Sequence, residues 1–520
     1  QSFQQLERAM GAIKSHRPFQ QYRYSRNSVE AVLVGEMGRK CAIDGERNVK
    51  FYQTSQTEGN PMNVLRRKLH LLPDEVCLDP DIPRRYLQAG EGLSAVSFVK
   101  RCVHGKHIQQ AFPDAQQAFL PPGIGTEVFD AFPSTAAIAL QDVLDRIQQA
   151  TSTDAQALLD FRRHLKHLPG TAGDEQLFYP ENHTDAYFRK QQLFRTQNSS
   201  QRQQQLAAFE SAYAPLNRSL QGLGLHCPSY YAMIRFDGDS MGKWLNGDPA
   251  FFQDSSRMET FHQLLSEHLG RFAAWAFDFL NLPAGKAIFA GGDDFLGFVN
   301  LDHLFPVLEQ LREGFDRMVN QTLKKGLAAD GSSVGDVGIR PERNLSFSAG
   351  LVVAHYKTPL SIVLQGVQQA EHQAKQFQNS KKDSLHLMIL KKSGESLSAS
   401  CPWYINQQLL SRNLQEIIET LRKPDGFSSS FLRTWYQHLR PMIDDRGKAL
   451  PDLSEEMILI EGKRLLKRAW MGTSQEQELA SQTFMDLLQP LLFYPAEIRN
   501  FFQLLFICDF IQRNTNGPRL

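Results

Sequence analysis

Cysteine is scarce in this sequence, with six residues in a chain of 520. They are scattered and form no close pairs: Cys41, Cys77, Cys102, Cys227, Cys401 and Cys508. Disulfide frameworks occur mainly in small secreted domains, in which cysteines are dense. The distribution here excludes a disulfide scaffold and predicts a cytoplasmic protein.

The sequence also lacks an excess of charge and any apolar run of membrane-spanning length. Lysine and arginine total 57 against 56 aspartates and glutamates, which leaves a formal net charge of +1. A chain so balanced does not hold nucleic acid through its overall charge, so any such contact must be local. Without a signal peptide or a spanning segment, we expect no membrane association. Because 42% of the residues are hydrophobic, several domains with substantial cores are expected.

The hydrophobic pattern is most regular between Tyr230 and Gly394. Apolar runs there predict strand, helix, two strands joined by a turn, helix and strand, followed by one more helix and strand. This βαββαβ order is typical of a ferredoxin-like α+β domain, in which helices cover one face of an antiparallel sheet. Polymerase palms and nucleotide cyclases share this plan.

The regions on either side are less regular. Residues 1–37 predict one helix and one strand, and residues 38–228 mix polar turns, Pro-rich stretches and helices. After Ser396 the strand signals fade, and helical spacing predicts a C-terminal helical bundle. We therefore expect four regions, at 1–37, 38–228, 229–396 and 397–520. Because the chain starts at Gln1 inside a helix-like segment, we also expect an upstream region.

Acidic residues lie at two neighbouring strand ends of the predicted domain. The strand "YYAMIRFDGD" ends near Asp237, and the hairpin "IFAGGDDFLGFV" carries Asp293 and Asp294 at its turn. In a ferredoxin-like sheet the first strand lies beside this hairpin, so the three carboxylates should face one another. Close carboxylates repel unless a cation neutralises them, and oxygen ligands favour Mg²⁺ or Mn²⁺. The pattern predicts a two-metal site that clamps a nucleoside triphosphate.

Glycine and small polar residues surround these acids, where they would permit a tight turn and bring backbone N–H groups close to phosphate oxygens. The nucleotide-binding candidates are Gly238, Asp239, Ser240, Gly242, Gly291 and Gly292. A Gly-Gly-Asp-Asp stretch alone is usually only a turn, because turns favour these residues. Its position between apolar strands, with a second acidic strand end in the same domain, favours a functional site.

Several segments together resemble the large, palm-containing subunit of type III CRISPR effector complexes, most closely its Cmr subtype. They are "FDGDSMGKWLNG", "FAGGDDFLGF", "FSAGLVVAHYKTPLSIVLQGVQQAEHQAK" and "LKKSGES", with "RKCAIDGER", "GEGLSAVSFVKR" and "FPSTAAIAL" upstream in the family's order. The resemblance runs from about Gln5 to Ser396, and the helical tail is compatible with it.

The resemblance implies a polymerase/cyclase-type palm that converts ATP into cyclic oligoadenylates when target RNA is bound. It implies that Asp237, Asp293 and Asp294 are the catalytic metal ligands, with Asp239 as a second candidate. Lys375 in "EHQAKQ" is a weaker candidate for phosphate contact, since a helical lysine is more often only solvated. The implied partners are guide crRNA, target RNA, and the backbone and small subunits of a ribonucleoprotein.

The sequence departs from the family at the zinc ribbon. In place of two Cys-x-x-Cys pairs it has Cys41 with Asp44, and Ser94 with Ser97. A serine hydroxyl is a poor zinc ligand, so this site is predicted to have lost its zinc. A replacement site could only come from cysteines and histidines without proper ligand spacing: Cys77, Cys102, His104 and His107.

Two family domains are also missing from the pattern. No His-Asp dipeptide occurs in the chain, so an HD nuclease is not expected within it. Only residues 1–37 resemble the first palm, at its last helix and strand. Because the family's ATP sites lie between two palms, the chain alone is expected to be an incomplete cyclase.

Two other functions fit the same residues. The "GGDDF" motif differs by one methylene from the Gly-Gly-Asp-Glu-Phe signature of diguanylate cyclases, although the flanking sequence and the long preceding region argue against that family. A catalytically silent scaffold within the same ribonucleoprotein is the second alternative. The complete acid set argues against silence, because buried carboxylates without a cation are costly to retain.

Overall fold

The structure is a computed structural model that describes only part of the chain. The described residues are 41–42, 47–52, 76–77, 87, 91–102, 132–168, 175–191, 193–196, 198–325, 338–380, 382–451, 453–492 and 498–517. The chain forms two compact units, Gln1–Phe132 and Pro133–Leu520. Their boundary falls inside the predicted 38–228 region, and the four-region division stays a prediction.

The first unit contains a small three-stranded sheet. Strands β1 (Phe51–Tyr52), β2 (Val76–Cys77) and β3 (Gly92–Leu93) lie in the order β2-β1-β3, and helix α1 (Ala95–Cys102) follows. The β1–β2 pair is parallel and the β1–β3 pair is antiparallel. A small apolar core lies beside this sheet.

The second unit begins with four helices: α2 (Thr135–Gln149), α3 (Ser152–Lys166), α4 (Asp185–Lys190) and α5 (Ser199–Gly222). Side chains of N-cap residues satisfy backbone N–H groups that the first turns leave unpaired. Ser134 accepts from Ala137 N, and Thr151 forms a capping box with Asp154. The stretch "STAAIALQDVLDRIQQA" is therefore helical from Thr135 to Gln149, with Ser134 as its N-cap.

Residues 230–402 form one six-stranded sheet with helices between several of its strands. In chain order its elements are β4 (Tyr230–Gly238), α6 (Met241–Leu245), α7 (Met258–Phe279), β5 (Gly285–Ala290), β6 (Phe295–Asn300), α8 (Leu304–Phe315), a π-helical turn (Asp316–Asn320), α9 (Gln321–Lys325), β7 (Phe347–His355), α10 (Leu360–Ser380), β8 (Ser384–Leu390) and β9 (Ser396–Pro402). The strand order is β5-β6-β4-β7-β8-β9. The α+β class and the predicted order of strands and helices are confirmed.

The sheet differs from the prediction in two respects. Strands β7 and β8 pair in parallel, so the sheet is mixed and not wholly antiparallel. Helices α7 and α8 pack on one face, whereas α2 and α10 pack on the other, so helices cover both faces. The residues alternate accordingly, because successive side chains of a strand point to opposite faces. Ile234 and Phe236 point towards α7, and Tyr231 and Met233 towards α10.

The expectation that strands end at Ser396 is wrong. Strand β9 follows that residue and pairs with β8, and a short hairpin of β10 (Tyr404–Ile405) and β11 (Gln408–Leu409) comes next. The stretch "SLSASCP" alternates small polar residues with Leu397, Ala399 and Cys401, which are buried. This period of two is a strand signal, but it involves only three apolar residues set among serines.

The α-helices that follow in the described chain are α11 (Leu410–Arg422), α12 (Ser430–Leu439), α13 (Glu455–Ala469), α14 (Gln477–Leu492) and α15 (Ile498–Arg513). Asn500 of α15 exchanges two hydrogen bonds with the backbone of Ser400 in β9, at 2.9 and 2.8 Å. The apolar side chains of these C-terminal helices share one core with the face of the sheet that α7 covers. Within the described ranges, no helix has the length and apolarity needed to cross a membrane.

Candidate metal and nucleotide site

Strand β4 carries Asp237 to the tip of the β5–β6 hairpin. Phe236 pairs with Phe295, the first residue of β6, so Asp237 leaves the ladder beside Asp294. The hairpin turn is closed by Gly291 N, which donates to Asp294 O at 2.9 Å. Gly292 has φ +99°, a backbone conformation that only glycine adopts without strain. The turn therefore depends on glycine at this position.

Asp293 packs directly against the backbone of Gly238. A Cβ atom added at Gly238 would lie 2.8 Å from Asp293 Oδ2 and 2.9 Å from Asp293 Cβ. Only a residue without a side chain allows this approach. The structure thus brings together the three side chains that the sequence nominated as catalytic, Asp237, Asp293 and Asp294.

The carboxylates form a region of incompletely compensated negative charge. Burial raises the pKa of Asp293, and the charges of Asp237 and Asp294 raise it further. Burial and the charge of Asp237 likewise raise the pKa of Asp294. Both shifts have the direction expected when carboxylates share a site without a sufficient counter-charge.

Lys375 supplies part of that counter-charge. Its Nζ contacts Asp237 Oδ2 and lies 3.0 Å from Glu371 Oε1, one helical turn earlier on α10. Although burial alone would lower it, hydrogen bonds to Asp237 and Glu371 raise the pKa of Lys375. The other oxygen of Glu371 accepts from Arg235 Nε at 2.8 Å. Sequence reasoning missed Glu371 and Arg235, although the i,i+4 spacing of Glu371 and Lys375 was a usable signal.

Asp239 lies in a different environment from Asp237. It is 4% exposed, and its Oδ1 accepts from Ser348 Oγ at 2.8 Å. Its Oδ2 accepts from Ser346 Oγ at 2.7 Å and from the backbone N–H of Asp383 at 2.9 Å. Both oxygens are thus engaged away from the three clustered acids. The roles of Ser346, Ser348 and Asp383 had no signal in the local sequence.

The other nucleotide-binding candidates border the acids. Ser240 adopts φ +58°, and its hydroxyl accepts from Lys382 Nζ at 3.1 Å. Gly242 lies within the short helix α6, and a Cβ atom at Gly242 or Gly292 would meet no atom within 4 Å. Ligand atoms could therefore approach the backbone closely at both glycines.

The donor set suits a divalent cation in its chemistry. Carboxylate oxygens are the ligands that Mg²⁺ and Mn²⁺ prefer, and the raised pKa values of Asp293 and Asp294 mark charge that a cation would neutralise. In the residues that the structure describes, however, no three His, Cys, Asp or Glu side chains converge closely enough to hold a metal. At Asp237, the ammonium group of Lys375 takes the place beside the carboxylate.

The described part of the segment predicted to be a degenerate zinc ribbon has serines in structural roles. Ser94 Oγ accepts from Ser97 N at 3.2 Å at the start of α1, and it donates to Ser97 Oγ at 3.1 Å. Both serines are buried. Asp44, His104 and His107, and the side chains of Cys77 and Cys102, lie outside the described residues. The loss of zinc therefore stays a prediction.

Comparison with known proteins supports the resemblance. Residues 230–386 match the family Cas10/Cmr2, second palm domain. The CRISPR system Cmr subunit Cmr2 of Pyrococcus furiosus is 25% identical over 317 residues, covering 54% of this chain and 34% of that protein. The chain therefore spans about a third of this relative, and together these matches confirm the resemblance to the Cmr-type large subunit.

Two cryo-EM structures share the fold. A chain of the type III-B Cmr-beta complex in the apo state matches with a TM-score of 0.54 and 13% identity, covering 99% of this chain and 60% of that chain. A chain of Cmr-beta bound to cognate target RNA matches with a TM-score of 0.50 and 14% identity, covering 92% and 58%.

Proposed function

We propose that this chain, in which residues 230–386 are a second palm domain of the Cas10/Cmr2 type, is the nucleotidyl-transferring part of a type III CRISPR effector complex. Its palm converts ATP into cyclic oligoadenylates when target RNA is bound. The observation that carries this proposal is that Asp293 and Asp294, in the β5–β6 turn, lie beside the end of β4 that carries Asp237, next to open backbone at Gly292.

The three acids are the proposed ligands of Mg²⁺ or Mn²⁺. When bound, the divalent ions would activate the attacking hydroxyl and stabilise the pyrophosphate leaving group. Gly238 allows Asp293 to pack against the end of β4, next to Asp237. The open backbone at Gly242 and Gly292 lets triphosphate oxygens approach N–H groups, with Ser240 and Gly291 at the border of the same turn region.

The partners of the Cmr-type relatives are proposed for this chain as well. We infer that it binds guide crRNA and target RNA together with backbone and small subunits, in a cytoplasmic ribonucleoprotein. The C-terminal helices 410–513 are the proposed helical domain that meets the small subunits. A first palm, supplied from outside the described residues, would complete the ATP site.

A silent scaffold is the second candidate, and one observation favours it. Asp237 is already neutralised by Lys375, and no three-ligand cluster forms among the described side chains. An arrangement satisfied by internal ion pairs can persist without a metal. The palm would then serve only to hold RNA and neighbouring subunits.

Product analysis of the assembled complex separates the candidates. The complex with guide and matching target RNA is given labelled ATP or GTP with Mg²⁺ or Mn²⁺. Oligoadenylates made from ATP by the wild type and abolished by Asp293→Ala with Asp294→Ala would support the cyclase. A complex that binds its target but consumes no nucleotide would support the scaffold, and a preference for GTP would favour the diguanylate-cyclase alternative.

A further inference from the structure

The ion pair between Lys375 and Asp237 places a protein cation where the proposed function needs a metal ion. The Lys375 ammonium contacts Asp237 Oδ2, and its side chain is 24% exposed. An ammonium in contact with a carboxylate oxygen takes both the space and the charge compensation that a divalent ion would use there. A divalent ion that binds Asp237 Oδ2 would therefore have to displace the ammonium.

Helix α10 fixes the point from which Lys375 reaches. Val367, Ala370 and Ala374 on this helix are fully buried. Gly350 of β7 lies so close to the backbone of Ala370 and Glu371 that a side chain there would clash. The helix backbone is held on the sheet, so only the flexible four-carbon stem of Lys375 is able to move.

Glu371 provides a second place for the Lys375 ammonium. Its Oε1 lies 3.0 Å from Lys375 Nζ, while its Oε2 is held by Arg235 at 2.8 Å. Arg235 thus fixes Glu371 with one oxygen facing the lysine. Lys375 contacts both carboxylates, so it can leave Asp237 and still keep Glu371 as a partner.

We propose that Lys375 is a positioning residue that occupies the cation position at Asp237 in the metal-free protein and withdraws to Glu371 when a divalent ion binds. This inference rests on the metal site of the proposed function. Metal binding and movement of Lys375 are then coupled, because a divalent ion reaches Asp237 only when it displaces the ammonium.

The test is Mn²⁺ binding to the full chain without nucleotide, followed by the electron paramagnetic resonance signal of free Mn²⁺. Binding lost in the Asp293→Asn, Asp294→Asn double variant defines the site. Lys375→Gln removes the competing cation and should tighten binding about tenfold. Lys375→Arg keeps the ion pair and should bind as the wild type. Glu371→Gln removes the alternative partner and should weaken binding.

Lys382→Gln is the matched control. Lys382 borders the same turn, but its Nζ is held by the neutral hydroxyl of Ser240. Removing its charge changes the local field without vacating Asp237, so affinity should stay within about threefold of the wild type. Equal tightening in Lys382→Gln and Lys375→Gln would show a general field effect and overturn the proposal.

Other results also overturn it. Unchanged or weaker Mn²⁺ binding in Lys375→Gln, tighter binding in Lys375→Arg, or no site binding in any variant would each do so. The Mn²⁺ affinities test this proposal independently of whether the assembled complex makes product. Tighter binding in Lys375→Gln with no product from the wild-type assembly would uphold the competition and refute the cyclase, whereas product formation with unchanged affinity would do the reverse.

Discussion

Asp237 and Asp239 are two residues apart, yet they occupy opposite kinds of environment. Asp237 has a side chain that is 35% exposed and meets a flexible lysine. Asp239 is 4% exposed and is bound by two serine hydroxyls and a backbone N–H. Asp237 can exchange its cation for another, whereas Asp239 can change no partner without disrupting the loop around it.

Asp383, whose backbone N–H binds Asp239, is itself held by an ion pair with Arg312. Arg312 is 2% exposed and binds Asp316 at 2.6 Å and Asp383 at 3.0 Å. Its guanidinium also lies 5.5 Å from the ring centre of Phe347. Asp383 is thereby held with its N–H directed at Asp239, in a left-handed backbone conformation with φ +50°. The comparison shows how a rigid buried network positions an adjacent exchangeable site.

The largest effect on stability should come from disrupting the buried network around Asp239. Arg312→Leu removes a buried cation and its ion pairs to the partly exposed Asp316 and Asp383, and should lower the free energy of unfolding by about 3 kcal/mol. Urea unfolding of the purified chain measures this. Arg412 is a matched control, because it also bridges two carboxylates but is 53% exposed. Arg412→Leu should cost less than about 1 kcal/mol, and equal losses would contradict the comparison.

Gly238→Ala disturbs the acids near Asp237 while adding only one methyl group. The new Cβ would lie 2.8 Å from Asp293 Oδ2, so Asp293 has to move from the strand end. Displacing a catalytic group by about an ångström can cost about 100-fold in turnover, and we expect that loss in ATP conversion by the complex. Gly270→Ala, in the middle of helix α7, also meets open space and is the control. Full activity in Gly238→Ala would argue against the acid geometry.

A pair of isosteric changes sharpens the contrast in stability. Asp239→Asn replaces an acceptor oxygen with an N–H₂ group facing donors, and should cost about 1–3 kcal/mol in unfolding free energy. Asp237→Asn affects a half-exposed ion pair and should cost less than about 1 kcal/mol, although it should abolish turnover. Denaturant titration of the two variants side by side tests this. The comparison fails if Asp237→Asn is the more destabilising change.

The smallest effect is a pH dependence at the acids. The pKa of Asp293 is raised in the folded protein, so the folded state binds its proton more tightly than the unfolded state. Stability should fall as pH rises from the ordinary aspartate pKa, about 3.9, through the raised folded value. Asp293→Asn removes this penalty, so its gain over the wild type should be absent at low pH and largest above the raised pKa. Unfolding measured across this range decides it, and a gain independent of pH would contradict the assignment.

The acids could be predicted because the information is local. Apolar strands of the right length end at Asp237 and turn at Gly291–Asp294, and a ferredoxin-like order makes these strands neighbours. Strand β9 was missed because its apolar residues are few and alternate with serines, and they bury against helices far along the chain: Leu397, Ala399 and Cys401. The parallel pairing of β7 and β8 follows from a crossover helix packing on the opposite face, which the sequence pattern did not specify.

The sequence by itself determined the α+β order, the glycine turn and the candidate acids, because periodicity and turn chemistry act over a few residues. Only the tertiary structure decided which acid is exchangeable and which is fixed. Lys375 meets Asp237 across 138 positions of sequence, and Arg312 meets Asp383 across 71. Such ion pairs depend on how helices pack on the sheet. The local sequence around each charged residue therefore does not indicate which partner it will contact.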